Sequence, residues 1–134
     1  MTKIDIFSGF LGAGKTTLIK KLLQDGYNGE KVVLIEKNEK LGKKLYITGK
    51  GRCNLSNDVE VNEFLENVVS NKKFLFGALN NFSPSDTIDF FEENGMPIKI
   101  ERGKRIFPAS DKASDVTKTL EKVCKNNGVE ILLN

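Results

Sequence analysis

The sequence predicts a three-layer α/β fold in which a small parallel sheet, entered through a β-α-β unit, is joined by further helices and a small hairpin. Three observations carry this. A glycine-rich loop separates the alternating, β-branched run Lys3 to Phe7 from an apolar helical face at Leu18, Ile19, Leu22 and Leu23. Val32-Val33-Leu34-Ile35 is a short continuous apolar run of the kind found in buried parallel strands. The chain then closes on a second such run, Val129 to Leu133, after an amphipathic helix.

The elements follow in order. Asp25-Gly26-Tyr27-Asn28-Gly29 ends the first helix, and residues 31 to 36 form the second strand. Residues 37 to 58 lack an apolar period and carry Gly42, Gly49 and Gly51, so they read as a loop. From Asp58 as N-cap, Val61, Phe64, Leu65, Val68 and Val69 keep helical spacing, and Leu75, Ala78, Leu79 and Phe82 predict a second helix. Ser83-Pro84-Ser85-Asp86 is a capping box with proline in the first turn, opening a helix through Ile88, Phe90 and Phe91 that Gly95 closes. Ile98 and Ile100, Arg102-Gly103-Lys104, then Ile106 and Phe107 predict a hairpin. Ser110 or Asp111 starts the last helix, with Ala113, Val116, Leu120, Val123 and Cys124 inward and Gly128 as its stop. The three parallel strands, 3 to 8, 31 to 36 and 129 to 133, are expected in the order 3-2-1 within a single domain, residues 1 to 134.

Composition narrows the chemistry. The 134 residues hold 21 Lys+Arg, 18 Asp+Glu, two Cys and no His, so a His general base, a His-dependent triad and a His-ligated metal are excluded. Cys53 and Cys124 form no Cys-x-x-Cys and are expected as reduced thiols, Cys53 packing or lying beside a ligand without catalysing. No apolar stretch reaches membrane-spanning length and no signal-peptide order opens the chain, so a cytoplasmic protein without membrane contact is expected. Lys37, Lys40, Lys43, Lys44, Lys50 and Arg52 concentrate positive charge in one loop. Without interleaved aromatic residues that loop does not predict nucleic-acid binding.

Gly9-Phe10-Leu11-Gly12-Ala13-Gly14-Lys15-Thr16, followed by Thr17, fits G-x-x-x-x-G-K-[ST] between strand and helix. Such a loop turns backbone N–H groups onto phosphate, Lys15 reaches the β- and γ-phosphates, and Thr16 offers a hydroxyl to Mg²⁺. ATP or GTP with Mg²⁺ is therefore the leading ligand. Asn71-Lys72-Lys73-Phe74 lacks the fourth-position Asp of a guanine motif, and no residue that orients an attacking water is identifiable. Little or no hydrolysis is expected, at most that of a weak P-loop NTPase. Glu36 reads either as a Mg²⁺ ligand through water or as an ordinary strand-end acid.

Ser8 to Leu18 closely resembles the P-loop of CobW-type GTPases, which implies GTP and Mg²⁺ over residues 1 to 36. Val32 to Leu45 and Ile47-Thr48-Gly49-Lys50-Gly51-Arg52-Cys53-Asn54 resemble the FAD-binding region of aminoacetone-oxidase-like, BaiN-type NAD(P)/FAD-dependent flavoproteins. That likeness continues through Asp86 to Glu93, Glu101 to Pro108, Ser110 to Lys112 and Gly128 to Ile131. It implies a Rossmann-like start, with Glu36 on the adenosine ribose at about twenty residues past the glycine turn. It also implies that Lys43, Lys44, Thr48, Gly49, Gly51, Arg52, Cys53 and Asn54 contact FAD, Arg52 above all near a nucleotide.

The two resemblances meet near Lys31 to Glu39, so the chain reads as a hybrid, either an engineered chimera or a natural recombinant, with residues 37 to 134 the flavoprotein-like part. Its end at Asn134, right after the last strand, reads as a cut at a domain edge, and full oxidoreductase turnover is not expected of it. Two alternatives to the Mg²⁺-nucleotide reading stay open: an FAD- or NAD-type dinucleotide binder, and a scaffold that binds no nucleotide. The expected assembly is a monomer or weak homodimer paired through a sheet edge.

Overall fold

The computed structural model describes residues 31–134. The expected strand at 3 to 8, the glycine loop from Gly9 to Thr17 with its Mg²⁺ position at Thr16, and the helix after it lie outside the described residues. In chain order the elements are β1 (Val33–Glu36), a 3-10 segment (Leu45–Gly51), β2 (Ser56–Asn57), α1 (Val61–Glu66), α2 (Lys72–Asn81), α3 (Pro84–Glu93), β3 (Ile98–Glu101), β4 (Arg105–Pro108), α4 (Ala113–Asn126) and β5 (Glu130–Leu133). The described residues form an α/β fold, with a small parallel sheet, helices and an antiparallel hairpin sheet.

β1 and β5 pair in parallel, Val33 opposite Glu130 and Glu36 opposite Leu133, which makes the second and third expected strands neighbours. Within the second strand, Val33 and Ile35 are exposed while Leu34 and Glu36 are half-buried.

α3 carries the capping box that its sequence encodes. The Asp86 amide donates to Ser83 Oγ at 3.1 Å, and the Ser83 amide donates to Asp86 Oδ2 at 2.7 Å. Both α3 and α4 end in the same closure. Gly95 (φ +84°) and Gly128 (φ +74°) take the left-handed turn, after which the Met96 and Val129 amides reach back to the Phe91 and Cys124 carbonyls. Met96 and Val129 are buried, so each closure also seats an apolar side chain.

The hairpin pairs Ile100 with Ile106 and Glu101 with Arg105 across the turn at Arg102-Gly103-Lys104. β2 adds a third strand, Ser56 opposite Ile106, where a loop was expected. Two further expectations need correction within 37 to 58 and beyond. Leu45 to Ile47 form a 3-10 turn where loop was expected, with Leu45 and Tyr46 packed against the core, and the chain leaves helical geometry at Thr48, Gly49 and Lys50. α1 stops at Glu66, three residues before Val69, which is fully exposed. Asn67, the β-branched pair Val68-Val69 and the left-handed Asn71 (φ +57°) oppose helix continuation there. The caps also differ: Glu60, not Asp58, precedes α1, and Lys112, not Ser110 or Asp111, precedes α4. Asp111 cannot cap because its backbone is left-handed (φ +59°) and its carboxylate is engaged elsewhere.

The core gathers Cys53, Phe91, Met96, Ala113 and Val116, with Leu45, Tyr46, Leu55 and Leu120 packed on it. α4 supplies its inward stripe at Ala113 and Val116, with Leu120, Val123 and Cys124 half-buried. The turn before the 3-10 segment docks on α4 through a glycine: a Cβ on Gly42 (φ +68°) would come within 2.1 Å of Thr117 Cγ2. Thr117 Oγ1 in turn lies 3.1 Å from the Tyr46 hydroxyl.

Candidate functional site

Glu36 is the last residue of β1, so its carboxylate stands at the carboxyl end of a parallel strand, where α/β sheets place their ligands. Its Oε1 accepts two hydrogen bonds from Asn38, 2.9 Å from the backbone amide and 2.6 Å from Nδ2. The turn after the strand therefore fixes the acid without covering it fully. Beyond the turn, Lys43 pairs with Glu39 at 2.8 Å, and that hydrogen bond holds the Glu39 carboxyl below its ordinary range. Lys44 is exposed, and Lys40 places its ammonium 4.7 Å from the centre of the Tyr46 ring.

The segment from Thr48 to Asn54 is stitched to itself and to β4. Thr48 Oγ1 donates to the Leu45 carbonyl at 2.9 Å, and the Arg52 and Cys53 amides return to Gly49 and Thr48. Gly49, Lys50 and Gly51 all have positive φ, which reverses the chain within three residues. Asn54 Nδ2 donates to the carbonyls of Ser56 and Ile106 at 2.9 and 3.0 Å. Cys53 is 3% exposed in the core, and burial pushes its thiol up from the ordinary value. It is a packing residue, not a poised nucleophile.

Arg52, expected near a nucleotide, makes its contacts among the described residues within the protein. Its Nη1 lies 2.8 Å from Glu101 Oε1 and 3.2 Å from Asp111 Oδ1, and its guanidinium stacks 4.1 Å from the centre of the Phe107 ring. Lys99 joins the same two acids, and Arg105 lies 3.9 Å from Glu101. The Arg52 hydrogen bond holds Glu101 below the usual carboxylate range, and the Lys99 hydrogen bond does the same for Asp111. Lys99, Glu101, Phe107 and Asp111 were not singled out from the sequence. Nothing in local spacing ties Arg52 to acids 49 and 59 residues away.

Of the residues expected to contact FAD, the structure thus brings Thr48, Gly49, Gly51, Arg52, Cys53 and Asn54 into one folded segment. It leaves Lys43 and Lys44 exposed between that segment and Glu36 in sequence. The donor set suits a dinucleotide: a carboxylate for ribose hydroxyls, exposed ammonium groups for phosphate, and open backbone at Gly51, where a Cβ would meet nothing closer than Tyr46 O at 3.7 Å. Among the described residues no group of three or more His, Cys, Asp or Glu is placed to hold a metal ion. Among them, too, no helix is long and apolar enough to cross a membrane.

Comparison with known proteins identifies the family of the chain. The HI0933-like protein Rossmann domain matches residues 10–134. The chain is 33% identical over 132 residues to the 3-dehydro-bile acid delta(4,6)-reductase of Clostridium scindens, covering 92% of this chain and 30% of that protein. It is 30% identical over 124 residues to the ribosomal RNA dihydrouridine synthase of Escherichia coli, again covering 92% of this chain and 30% of the relative. The chain therefore spans about three tenths of the length of the curated relatives it matches. The family match begins inside the glycine loop and runs across the junction that the hybrid reading put near residues 31 to 39. It overturns the reading of this chain as a P-loop domain for ATP or GTP with Mg²⁺. The glycine-lysine-threonine pattern misled because both loop types join a strand to a helix with glycines, and only the Rossmann turn is built for a dinucleotide pyrophosphate. With the matched residues, the parallel sheet and the strand-end acid together, the chain belongs to the HI0933-like Rossmann domain family.

Proposed function

We propose that this chain is an FAD-binding Rossmann domain of a flavin-dependent oxidoreductase. The observation that carries the reading is Glu36, a carboxylate closing a parallel strand at about twenty residues beyond a glycine-rich sequence in a member of a Rossmann family. In this reading Glu36 accepts hydrogen bonds from the adenosine ribose, Lys43 and Lys44 offer charge to the phosphates, and the backbone around Gly51 lies along the dinucleotide. FAD, when bound, supplies the redox chemistry, while the protein binds and orients it. The name of the Clostridium scindens relative, a reductase, supports the oxidoreductase class.

A thermal-shift panel tests the reading. FAD, NAD, and ATP or GTP with Mg²⁺ are each added to the purified chain and to Glu36→Gln. A ligand that prefers the native state at a hundredfold excess over its Kd stabilises it by about 2.7 kcal/mol. FAD is expected to raise the melting temperature of the wild-type chain and to do so less for Glu36→Gln. Indifference to FAD, or an equal response in Glu36→Gln, would contradict the reading.

A further inference from the structure

Arg52 connects three parts of the chain that are distant in sequence. Glu101 ends β3, Phe107 lies in β4, and Asp111 stands in the turn before α4, yet all three meet one guanidinium. Asp111 holds a left-handed backbone, a conformation that residues with a side chain adopt sparingly. Its carboxylate is anchored from two sides, by Arg52 and by Lys99. Phe107 is buried, so the ring under the guanidinium is fixed by the core.

We propose that Arg52 is a positioning residue of the dinucleotide site: it clamps the Thr48 to Asn54 segment onto the antiparallel sheet and does not give its charge to the ligand's phosphates. The inference rests on the FAD reading above. Its argument is one of charge and place. Two carboxylates lie within 3.2 Å of Nη1, so a phosphate brought to Arg52 would meet both of them as like charges. Exposed Lys44 and Lys50 carry no such carboxylate pair among the described residues, whereas Lys43 is held by one acid, Glu39. Meanwhile the segment that Arg52 anchors contains the left-handed run Gly49, Lys50 and Gly51, whose three positive φ angles are held by bonds on either side.

The test uses the full 134-residue chain with Arg52→Ala, Arg52→Lys and the double variant Glu101→Gln/Asp111→Asn. Asparagine keeps the left-handed backbone accessible at 111. FAD affinity is read by titration, and order in residues 48 to 54 by amide hydrogen exchange. A clamp predicts that Arg52→Ala and the double variant each weaken FAD binding and speed exchange in the segment by about tenfold, with partial rescue by Arg52→Lys. A double variant that binds FAD as tightly as wild type, or more tightly, while Arg52→Ala loses affinity would assign Arg52 to the ligand and overturn the proposal. Unchanged exchange in both would overturn it as well. Should Arg52→Ala fail to fold, the double variant carries the same two readouts. A wild-type chain that takes up no FAD would defeat the cofactor reading instead, and the exchange measurement alone would then decide the clamp.

Discussion

Gly49 and Phe107 are in such close contact that a Cβ on the glycine would lie 3.1 Å from the ring's Cε1 and 2.7 Å from the Asn54 amide nitrogen. The same ring carries the Arg52 guanidinium. One buried aromatic side chain thus receives both ends of the Thr48 to Asn54 segment.

Gly49→Ala is therefore expected to destabilise the fold by about 1–3 kcal/mol, through the clash and through the left-handed φ of +53°. Urea unfolding checks this: the midpoint should fall with little change in slope. A midpoint equal to wild type would mean that the segment shifts aside at no cost.

Ser83→Ala removes one half of the reciprocal cap on α3. A loss of about 1 kcal/mol is expected, since the Asp86 amide then lacks its hydroxyl acceptor. The same unfolding experiment reads it, and Ser83→Asp should restore most of the loss.

Acid should weaken the Arg52 cluster. Glu101 and Asp111 are held below their ordinary carboxyl values, by hydrogen bonds from Arg52 and Lys99 respectively. Carboxylates depressed in the folded state contribute stability above their unfolded pKa, about 4, and lose it as pH falls through the lower folded values. Unfolding free energy measured from pH 6 downward should thus decline more steeply for wild type than for Glu101→Gln/Asp111→Asn. The side chains are partly exposed, so salt should shrink the difference.

Cys53 should resist thiol reagents. It is buried and its thiol is pushed up by that burial, so labelling is expected only in step with unfolding. Cys124, half-buried and also pushed up by burial, should react sooner under native conditions. Mass spectrometry after timed alkylation separates the two.

Much of this fold is legible in the sequence where local chemistry decides the structure. The Ser83 to Asp86 box, the closures at Gly95 and Gly128 and the hairpin around Gly103 each arise within a few residues. Glu36 was legible as a strand-end acid for the same reason. β2 was not, because a two-residue strand has no period to read and exists only through its pairing with Ile106 and Arg105. The partners of Arg52 were hidden by sequence distance. The glycine-rich stretch Gly9 to Thr17 lies outside the described residues, and the family match across residues 10–134 corrects the ATP or GTP reading drawn from its sequence.

Glu36 is the acid proposed to select a dinucleotide. Titrating FAD into the wild-type chain and into Glu36→Gln, with flavin fluorescence as the readout, tests it most directly. Loss of a hydrogen-bond acceptor that meets ribose hydroxyls predicts saturable binding to wild type and about tenfold weaker binding to Glu36→Gln, with ATP and Mg²⁺ failing to compete. Equal affinity in the two proteins, or displacement of FAD by ATP with Mg²⁺ at comparable concentration, would contradict it.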